Sequence, residues 1–344
     1  MLGIDARAAR YTWTATLVVL LLYVIYLVRG TLFVFTLALL LAYLLFPLVN
    51  LLDRFLPGRT RTPALALAYV IFIGILVVAG IQIGSRMVSQ ATKLANDFPT
   101  MFQNWQPPGQ LGKVKTDAVA KIQSEFAGRA ENLLGLLPQA GAKFLSVASG
   151  AVYIVIIPIL SFFFLKDASA IRERFLDLVT EGPRRVLIDD VLADIHLLLA
   201  HYMRALVLLS LAVFTAFSVG FSIMGMRFSI LLGALGGMLE FIPMVGPLMA
   251  CAVIVLVAAV SGMNIWPVLI FLVAYRVFQD YILSPHLMKQ GVQLHPLLVL
   301  FGVFAGAEIA GVAGTFLSVP VLAMVRVVYV RIRKSRVGAK PAVE

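Results

Sequence analysis

The feature that most constrains this chain is a succession of apolar runs, each long enough to cross a lipid bilayer as a helix. A helix rises about 1.5 Å per residue, so about 20 apolar residues cross the roughly 30 Å hydrocarbon core. Six runs suit such single spans: residues 11–28, 31–52, 63–85, 144–165, 205–226 and 265–284. A soluble domain could not bury a chain that is 61% hydrophobic and only 13% charged. The sequence therefore predicts an all-α polytopic membrane protein.

Two further apolar runs, 228–261 and 295–330, are each too long for one ordinary span and are interrupted near the middle. Proline removes a backbone donor and glycine permits close approach of the backbone, so both residue types interrupt helices. We predict that each run folds as a broken helical hairpin. The interrupting residues are Gly236, Gly237, Pro243, Gly246 and Pro247 in the first run, and Gly302, Gly306, Gly311, Gly314 and Pro320 in the second.

Two stretches are polar enough to leave the bilayer. Residues 86–143 contain four prolines and carry apolar residues at helical spacing, which predicts an extramembrane helical insert after the first three spans (1–85). Residues 166–204 place apolar side chains on one stripe and charged side chains opposite. That pattern predicts an amphipathic helical segment, lying at the membrane surface or packed against a neighbouring helix.

The distribution of charge orients the chain. The net charge is +11, yet the basic residues stand in short clusters between apolar runs, which is the positive-inside pattern and not a nucleic-acid-binding surface. The basic loop 54–61, the segment 166–204 and the tail 331–344 place both termini in the cytoplasm. The insert 86–143 is then outside despite its seven basic residues, because long segments cross with little regard for charge. We expect a multi-pass protein of the cytoplasmic (inner) membrane.

This orientation constrains the two broken runs. Both termini are cytoplasmic only if 228–261 enters and leaves on the outer side and 295–330 enters and leaves on the inner side. Residues 205–330 then form a transport core of two inverted span-plus-hairpin repeats, 205–261 and 265–330. Inverted repeats with broken helices are a known construction of secondary transporters, in which the substrate binds where the breaks meet.

Glu240 and Glu308 are the first candidate functional residues. Glu240 is the only charged residue between Phe228 and Tyr275. When the two broken runs are aligned with an offset of 68 residues, Glu240 matches Glu308. A charged side chain at the bilayer centre costs about 2.5–3.5 kcal/mol on insertion scales, so intramembrane acids commonly serve as proton or cation sites. The alternatives are a glutamate at the interface or at a helix cap, and glycines that only pack helices. The predicted solute or ion path comprises Glu240, Pro243, Gly246, Pro247, Glu308, Gly311 and Gly314.

A second polar group lies near the inner end of span 265–284. Arg276, Gln279 and Asp280 fall within about one helical turn, and Arg276 and Asp280 are four residues apart, so they can pair on one face. This arrangement predicts either an ion pair that neutralises both charges or a gate that opens when the pair breaks. His295 and Pro296 are expected to cap the second hairpin.

Motifs of enzymes are missing from the sequence. It contains no Walker motif, no GxSxG and no HExxH, and no carboxylate–histidine cluster with metal spacing. We therefore expect neither an enzyme nor a bound cofactor or metal, and no drive by ATP.

Three segments resemble the autoinducer-2 exporter family of predicted permeases. They are FIPMVGP at 241–247, QDYILSPHLMKQGVQLHPLLVL at 279–300 and GAEIAGVAGTFLSVPVLA at 306–323. The resemblance extends to the layout of the whole chain, although only the C-terminal motifs are specific. It implies an integral inner-membrane protein that moves small solutes, either by exporting autoinducer-2 or by exchanging Na⁺ for H⁺, and that forms homo-oligomers in the lipid.

The residues and the resemblance together favour a secondary transporter, or permease, with coupling through the intramembrane glutamates. A passive channel is one alternative. A membrane scaffold that transports nothing, and holds partners through 86–143 or 166–204, is the other.

Overall fold

A computed structural model of the chain describes residues 6–56, 61–103, 148–287 and 294–338. These residues are helical and contain no strand, so the prediction of an all-α protein is confirmed. A π-helical turn spans Gln279–Leu283. The helices are α1 (Ala6–Leu27), α2 (Arg29–Phe55), α3 (Thr62–Gln103), α4 (Ala148–Lys166), α5 (Ala168–Asp177), α6 (Pro183–Ile223), α7 (Ser229–Leu239), α8 (Val245–Val260), α9 (Ile265–Phe278), α10 (Ser284–Leu287) and α11 (Pro296–Gly338).

Six described helical segments are long and apolar enough to cross a membrane. They are Arg10–Leu27, Arg29–Phe55, Thr62–Met101, Pro183–Ile223, Ile265–Leu287 and Pro296–Ser335. Five of them overlap predicted spans, whereas the sixth is α11, which the sequence predicts as a hairpin. The predicted span 144–165 corresponds to α4, which forms a seventh candidate only together with α5, bent from it by 68°.

Two helices are longer than the predicted spans. α3 has 42 residues and α6 has 41, so each is about 60 Å long, twice the hydrocarbon thickness. α3 therefore continues without a break past residue 85, where the sequence predicts that the chain leaves the bilayer. α6 runs without a break through residue 204, where the sequence predicts that the chain enters the bilayer. The positions of the membrane surfaces on these helices stay predictions. Most of the predicted insert (104–143), the start of span 144–165 and residues 339–344 of the tail lie outside the described residues.

The central helix of the fold is α6, because its two sides carry different parts of the core. Its C-terminal half packs on the end of α3 and on α7, α8 and α9, through a cluster that includes Val213, Phe217 and Phe221. Its middle packs on α2 and α11, through a cluster that includes Leu199 and Leu206. A third, smaller cluster joins α2 to α3 and α4.

The first broken run folds as two short helices in contact, α7 and α8, on either side of residues 240–244. α7 has 11 residues and α8 has 16, so they are about 17 and 24 Å long, and each is shorter than the hydrocarbon core. Small residues bring α7 against α6. A Cβ atom added to Gly237 would lie 2.8 Å from the carbonyl oxygen of Ser210.

The second broken run also reverses direction. Within α11, Ala310 and Gly311 leave helical geometry, and Gly311 takes φ 59° and ψ −139°, a conformation that L-residues with side chains rarely adopt. Gly306 and Gly314 then contact each other across the break through their backbones. The residues before and after position 310 therefore form two antiparallel arms. Both predicted breaks are present, whereas re-entry into the membrane and opposite orientation stay predictions.

An ion cluster ties the returning arm of α11 to the charged N-terminal half of α6. Arg331 donates from Nε and Nη2 to the two carboxylate oxygens of Asp194 at 2.5 and 2.9 Å, and from Nη1 to Asp190 at 3.1 Å. These hydrogen bonds from Arg331 hold the pKa of Asp194 below its usual range. Asp194 belongs to the segment 166–204, which we predict to lie outside the hydrocarbon.

Candidate functional site

A cavity of about 550 Å³ lies between α6, the tip of the first hairpin and the end of α9. Three residues of the predicted path, Glu240, Pro243 and Pro247, line this cavity. The three residues of the predicted gate line it as well. The tertiary structure thus brings together, in one central cavity, two groups that the sequence separates by some 30 residues. We refer to it below as the central cavity.

The hairpin tip reaches the central cavity through a strained backbone. Met244 has φ 63° and ψ −51°, and the amide N–H of Val245 donates to the carbonyl oxygen of Pro243 at 2.7 Å, which closes a γ-turn with positive φ. Gly246 follows, and a Cβ atom there would overlap the carbonyl oxygen of Leu239. Pro247 stands in the first turn of α8, where its missing N–H removes no helical hydrogen bond. Strained tips of this kind cluster at functional sites.

Glu240 directly follows α7 and is half-buried. The side-chain amide of Gln279 donates from Nε2 to Oε1 of Glu240 at 2.5 Å, and Gln279 is only 3% exposed. Gln279 opens the π-helical turn, in which the N–H of Ser284 donates to the carbonyl oxygen of Gln279 five residues earlier. Pro285 follows and has no N–H to continue an α-helical ladder, which accounts for this local change. π-Helical turns are frequent at functional sites.

Arg276 and Asp280 form the ion pair that their spacing predicts. Nε of Arg276 donates to Oδ2 of Asp280 at 2.8 Å, and the two side chains are 42% and 44% exposed. The pair lies on the wall of the central cavity beside Glu240, which itself makes no ion pair within the described residues. The cavity therefore holds one paired carboxylate and one carboxylate bonded only to an amide.

Tyr202 is a cavity residue that sequence reasoning missed. It lies on α6, is 8% exposed, and its buried hydroxyl has no hydrogen-bond partner among the described residues. A buried hydroxyl without a partner is uncommon and costly, so it calls for a ligand or water. In the sequence Tyr202 ends an apolar helical stripe, which indicates packing only. Most of the remaining wall is apolar, and Arg204 adds a cation at the exposed side.

The second half of the predicted path lies elsewhere. Glu308 is exposed near the tip of the second hairpin, and neither it nor Gly311 and Gly314 line the central cavity. Gly306 and Gly314 pack the two arms of that hairpin, as the packing alternative proposes.

His295 and Pro296 also lie outside the lining of the central cavity. His295 directly precedes α11, and its ring Nδ1 accepts from the N–H of Leu297 at 3.3 Å, while Pro296 is the first residue of the helix. This is the arrangement of an N-cap followed by proline. Within the ranges that the structure describes, no three His, Cys, Asp or Glu side chains gather to hold a metal ion.

Comparison with known proteins agrees with this architecture. A family described as AI-2E family transporter matches residues 16–334. The chain is 26% identical to "Putative transport protein YueF" of Bacillus subtilis over 86% of this chain and 85% of that protein. It is 27% identical to "Putative permease PerM" of Escherichia coli over 89% of this chain and 88% of that protein. The match covers nearly all of the sequence, and the chain therefore belongs to the AI-2E family of transporters, as a multi-pass membrane protein.

Proposed function

We propose that this protein is a secondary transporter that moves a small solute across the cytoplasmic membrane through the central cavity, with proton binding at Glu240 as the coupling step. The observation that carries the proposal is the position of Glu240, at a strained break between two short helices and on the wall of a cavity of about 550 Å³. Sites for small organic molecules commonly measure about 300–1,000 Å³ and are mostly apolar with a few polar groups. A signal molecule such as autoinducer-2 is therefore a better fit than a lone Na⁺.

The hydrogen bond from Gln279 engages only one of the two carboxylate oxygens of Glu240. With Oε1 held by the amide, the second carboxylate oxygen remains available to a proton, a cation or a polar group of the solute. Arg276 lies on the same wall and is held by Asp280. Protonation of Glu240 removes a negative charge beside this pair, so the two sites are coupled electrostatically. We propose that this coupling links solute movement to the proton gradient and makes the Arg276–Asp280 pair the inner gate.

Transport into liposomes tests the proposal. Purified protein is reconstituted into liposomes, loaded separately with autoinducer-2 and with ²²Na⁺, and flux is measured with and without an imposed pH gradient. We expect saturable flux that responds to the gradient in the wild type and in Glu181→Gln, whose side chain is 93% exposed and does not line the cavity. In Glu240→Gln the response to the gradient is expected to disappear.

The other outcomes separate the alternatives. Flux that rises linearly with solute concentration and ignores the pH gradient indicates a channel. Absence of flux for both probes, in a protein that is folded, supports the scaffold. Gradient-driven flux that is unchanged in Glu240→Gln would leave the transporter standing and remove Glu240 from the mechanism.

Tyr202 provides the solute contact in this proposal. Its hydroxyl has no partner within the described residues, so Tyr202→Phe removes no internal hydrogen bond and should not destabilise the fold. If the hydroxyl bonds the solute, the variant raises the KM for flux by about 2- to 13-fold, the equivalent of one neutral hydrogen bond of about 0.5–1.5 kcal/mol. Tyr275→Phe is the matched control, because the hydroxyl of Tyr275 is equally unpartnered but does not line the central cavity. Equal KM values for both variants would exclude Tyr202 from the solute site.

A further inference from the structure

A second cavity, separate from the central cavity, opens beside the C-terminal half of α3 and measures about 750 Å³. Its wall contains Arg86 and Lys93 from α3 and Arg227 from the turn between α6 and α7. We refer to it as the α3 basic cavity. Neither the path through Glu240 nor the ion cluster on α6 uses any of these three residues.

The positive charges of the α3 basic cavity are not neutralised by the described part of the chain. Arg86 and Lys93 lie seven residues, about two turns, apart on one face of α3, and Arg227 faces them from the neighbouring turn. None of the three makes an ion pair within the described ranges. Among the described residues Asp97 is the only acid on the cavity wall, so cations outnumber carboxylates there by three to one.

The neutral groups of the cavity also suit an anion. Ser89 adds a hydroxyl donor on the same face of α3, whereas the hydroxyl of Ser85 donates to the carbonyl oxygen of Gln82 at 3.3 Å. Gln90 accepts from the N–H of Leu231 at 2.9 Å, which holds the first turn of α7 against the cavity. The N-terminus of α7, which carries the positive end of the helix dipole, therefore lies beside the same space. Guanidinium, ammonium and hydroxyl donors that converge in this way are typical of phosphate recognition.

The position of the cavity along α3 indicates where the phosphate comes from. Val77, Val78 and Ile81 are 53%, 56% and 68% exposed, as expected for a face in contact with lipid tails. The cavity begins one turn later, at Ser85, where the helix becomes polar. A polar surface that directly follows a lipid-facing apolar stretch is the arrangement expected where phospholipid headgroups meet a spanning helix. Basic cavities between spanning helices on the cytoplasmic or matrix side bind anionic headgroups in other membrane proteins, and the same chemistry would operate at the outer surface, where the predicted topology places this end of α3.

We propose that the α3 basic cavity binds a phosphate group, presented by the headgroup of an anionic phospholipid at the membrane surface. Arg86, Lys93 and Arg227 hold the phosphate oxygens, and the lipid tails follow the apolar face of α3. Free inorganic phosphate offers the same chemistry without the tails, so the test includes it as a separate arm.

Native mass spectrometry of the full-length protein in detergent tests this site. The probes are phosphatidylglycerol, phosphatidylcholine and inorganic phosphate, each titrated against the wild type and two triple variants. The test variant is Arg86→Gln/Lys93→Gln/Arg227→Gln, in which all three replaced side chains are exposed. The matched control is Lys166→Gln/Arg174→Gln/Arg184→Gln, which removes the same charge from exposed positions elsewhere.

The wild type and the control should bind phosphatidylglycerol equally and in preference to phosphatidylcholine. The test variant should lose about a hundredfold in affinity, at roughly fivefold for each cation near the headgroup. The single variant Arg227→Gln should lose about fivefold and provides the same information should the triple variant fold poorly. Competition by millimolar inorganic phosphate would assign the site to free phosphate. Equal losses in both triple variants, equal affinity for both lipids, or no loss in either variant would overturn the proposal.

Discussion

The hydrogen bond between Gln279 and Glu240 can be tested directly by a double-mutant cycle. Glu240→Ala, Gln279→Ala and the double variant are compared with the wild type by their free energies of unfolding in mixed micelles. Gln279 is 3% exposed, so Glu240→Ala removes the acceptor of a buried amide, whereas after Gln279→Ala water in the central cavity can replace the donor lost by Glu240. Glu240→Ala therefore leaves a buried polar group unsatisfied, at a cost of about 1–3 kcal/mol, and Gln279→Ala should cost less.

The coupling energy of the cycle reports the charge on Glu240. A hydrogen bond to a charged group contributes about 1.5–3 kcal/mol, whereas one between neutral groups contributes about 0.5–1.5 kcal/mol. A value in the upper range indicates a carboxylate at the pH of the assay, and a value in the lower range indicates the protonated acid. The transporter proposal requires that the value move between these ranges when the pH is changed.

A second cycle on Arg276 and Asp280 serves as the internal standard. These side chains are four residues apart and 42% and 44% exposed, and helical ion pairs of this kind typically couple by about 0.3–0.5 kcal/mol. The Glu240–Gln279 coupling should exceed that of the ion pair, and severalfold at a pH where Glu240 is ionised. A coupling between Glu240 and Gln279 no larger than this standard would refute the reasoning, because a buried contact at 2.5 Å could not then be present in the folded protein.

Two further predictions follow from the packing and the charges. Gly246→Ala should destabilise the protein by about 1–3 kcal/mol in the same unfolding assay, because the new methyl group overlaps the backbone. Gly80 has open space around it, so Gly80→Ala should stabilise the protein by about 0.5–1 kcal/mol. Equal effects of the two substitutions would contradict the close backbone packing at the tip of the first hairpin. Arg331 lowers the pKa of Asp194, so the stability that this pair provides is present above the ordinary aspartate range and is lost as the pH falls through the lowered value. The midpoint temperature of thermal unfolding should therefore fall less steeply from neutral to acidic pH in Arg331→Gln than in the wild type, while Arg333→Gln keeps the wild-type slope. Parallel curves of midpoint temperature against pH for all three proteins would argue against the ion cluster.

Elements with strong local signals could be predicted from the sequence. The apolar runs predict membrane-spanning helices, because segments of that length and composition are stable only in contact with lipid. The two hairpin breaks were predictable for a similar reason, since Pro243 and Pro247, four residues apart, cannot share a regular helix interior, and Gly311 supplies the positive φ on which the second reversal depends. Arg276 and Asp280 pair as their spacing of four predicts, since both partners lie on one helix.

Contacts between distant segments could not be predicted in this way. The sequence treats Glu240 and Glu308 as equivalent, yet only Glu240 reaches the central cavity, because the packing of each hairpin decides where its tip points. The extension of α3 to Gln103 and the continuity of α6 were also missed, since a polar stretch can continue a helix beyond the bilayer without any change in backbone geometry.

Composition and local pattern thus establish that this chain is a polytopic helical membrane protein with two interrupted hairpins and a single acid in its most apolar stretch. Those properties depend on residues that are close in sequence and on the cost of exposing polar backbone to lipid. The partnership of Glu240 with Gln279 and the burial of Tyr202 against the same cavity depend on how α6, the first hairpin and α9 pack together. Side-chain packing between segments is cooperative and has no period along the chain, so the sequence pattern carries no signal of it.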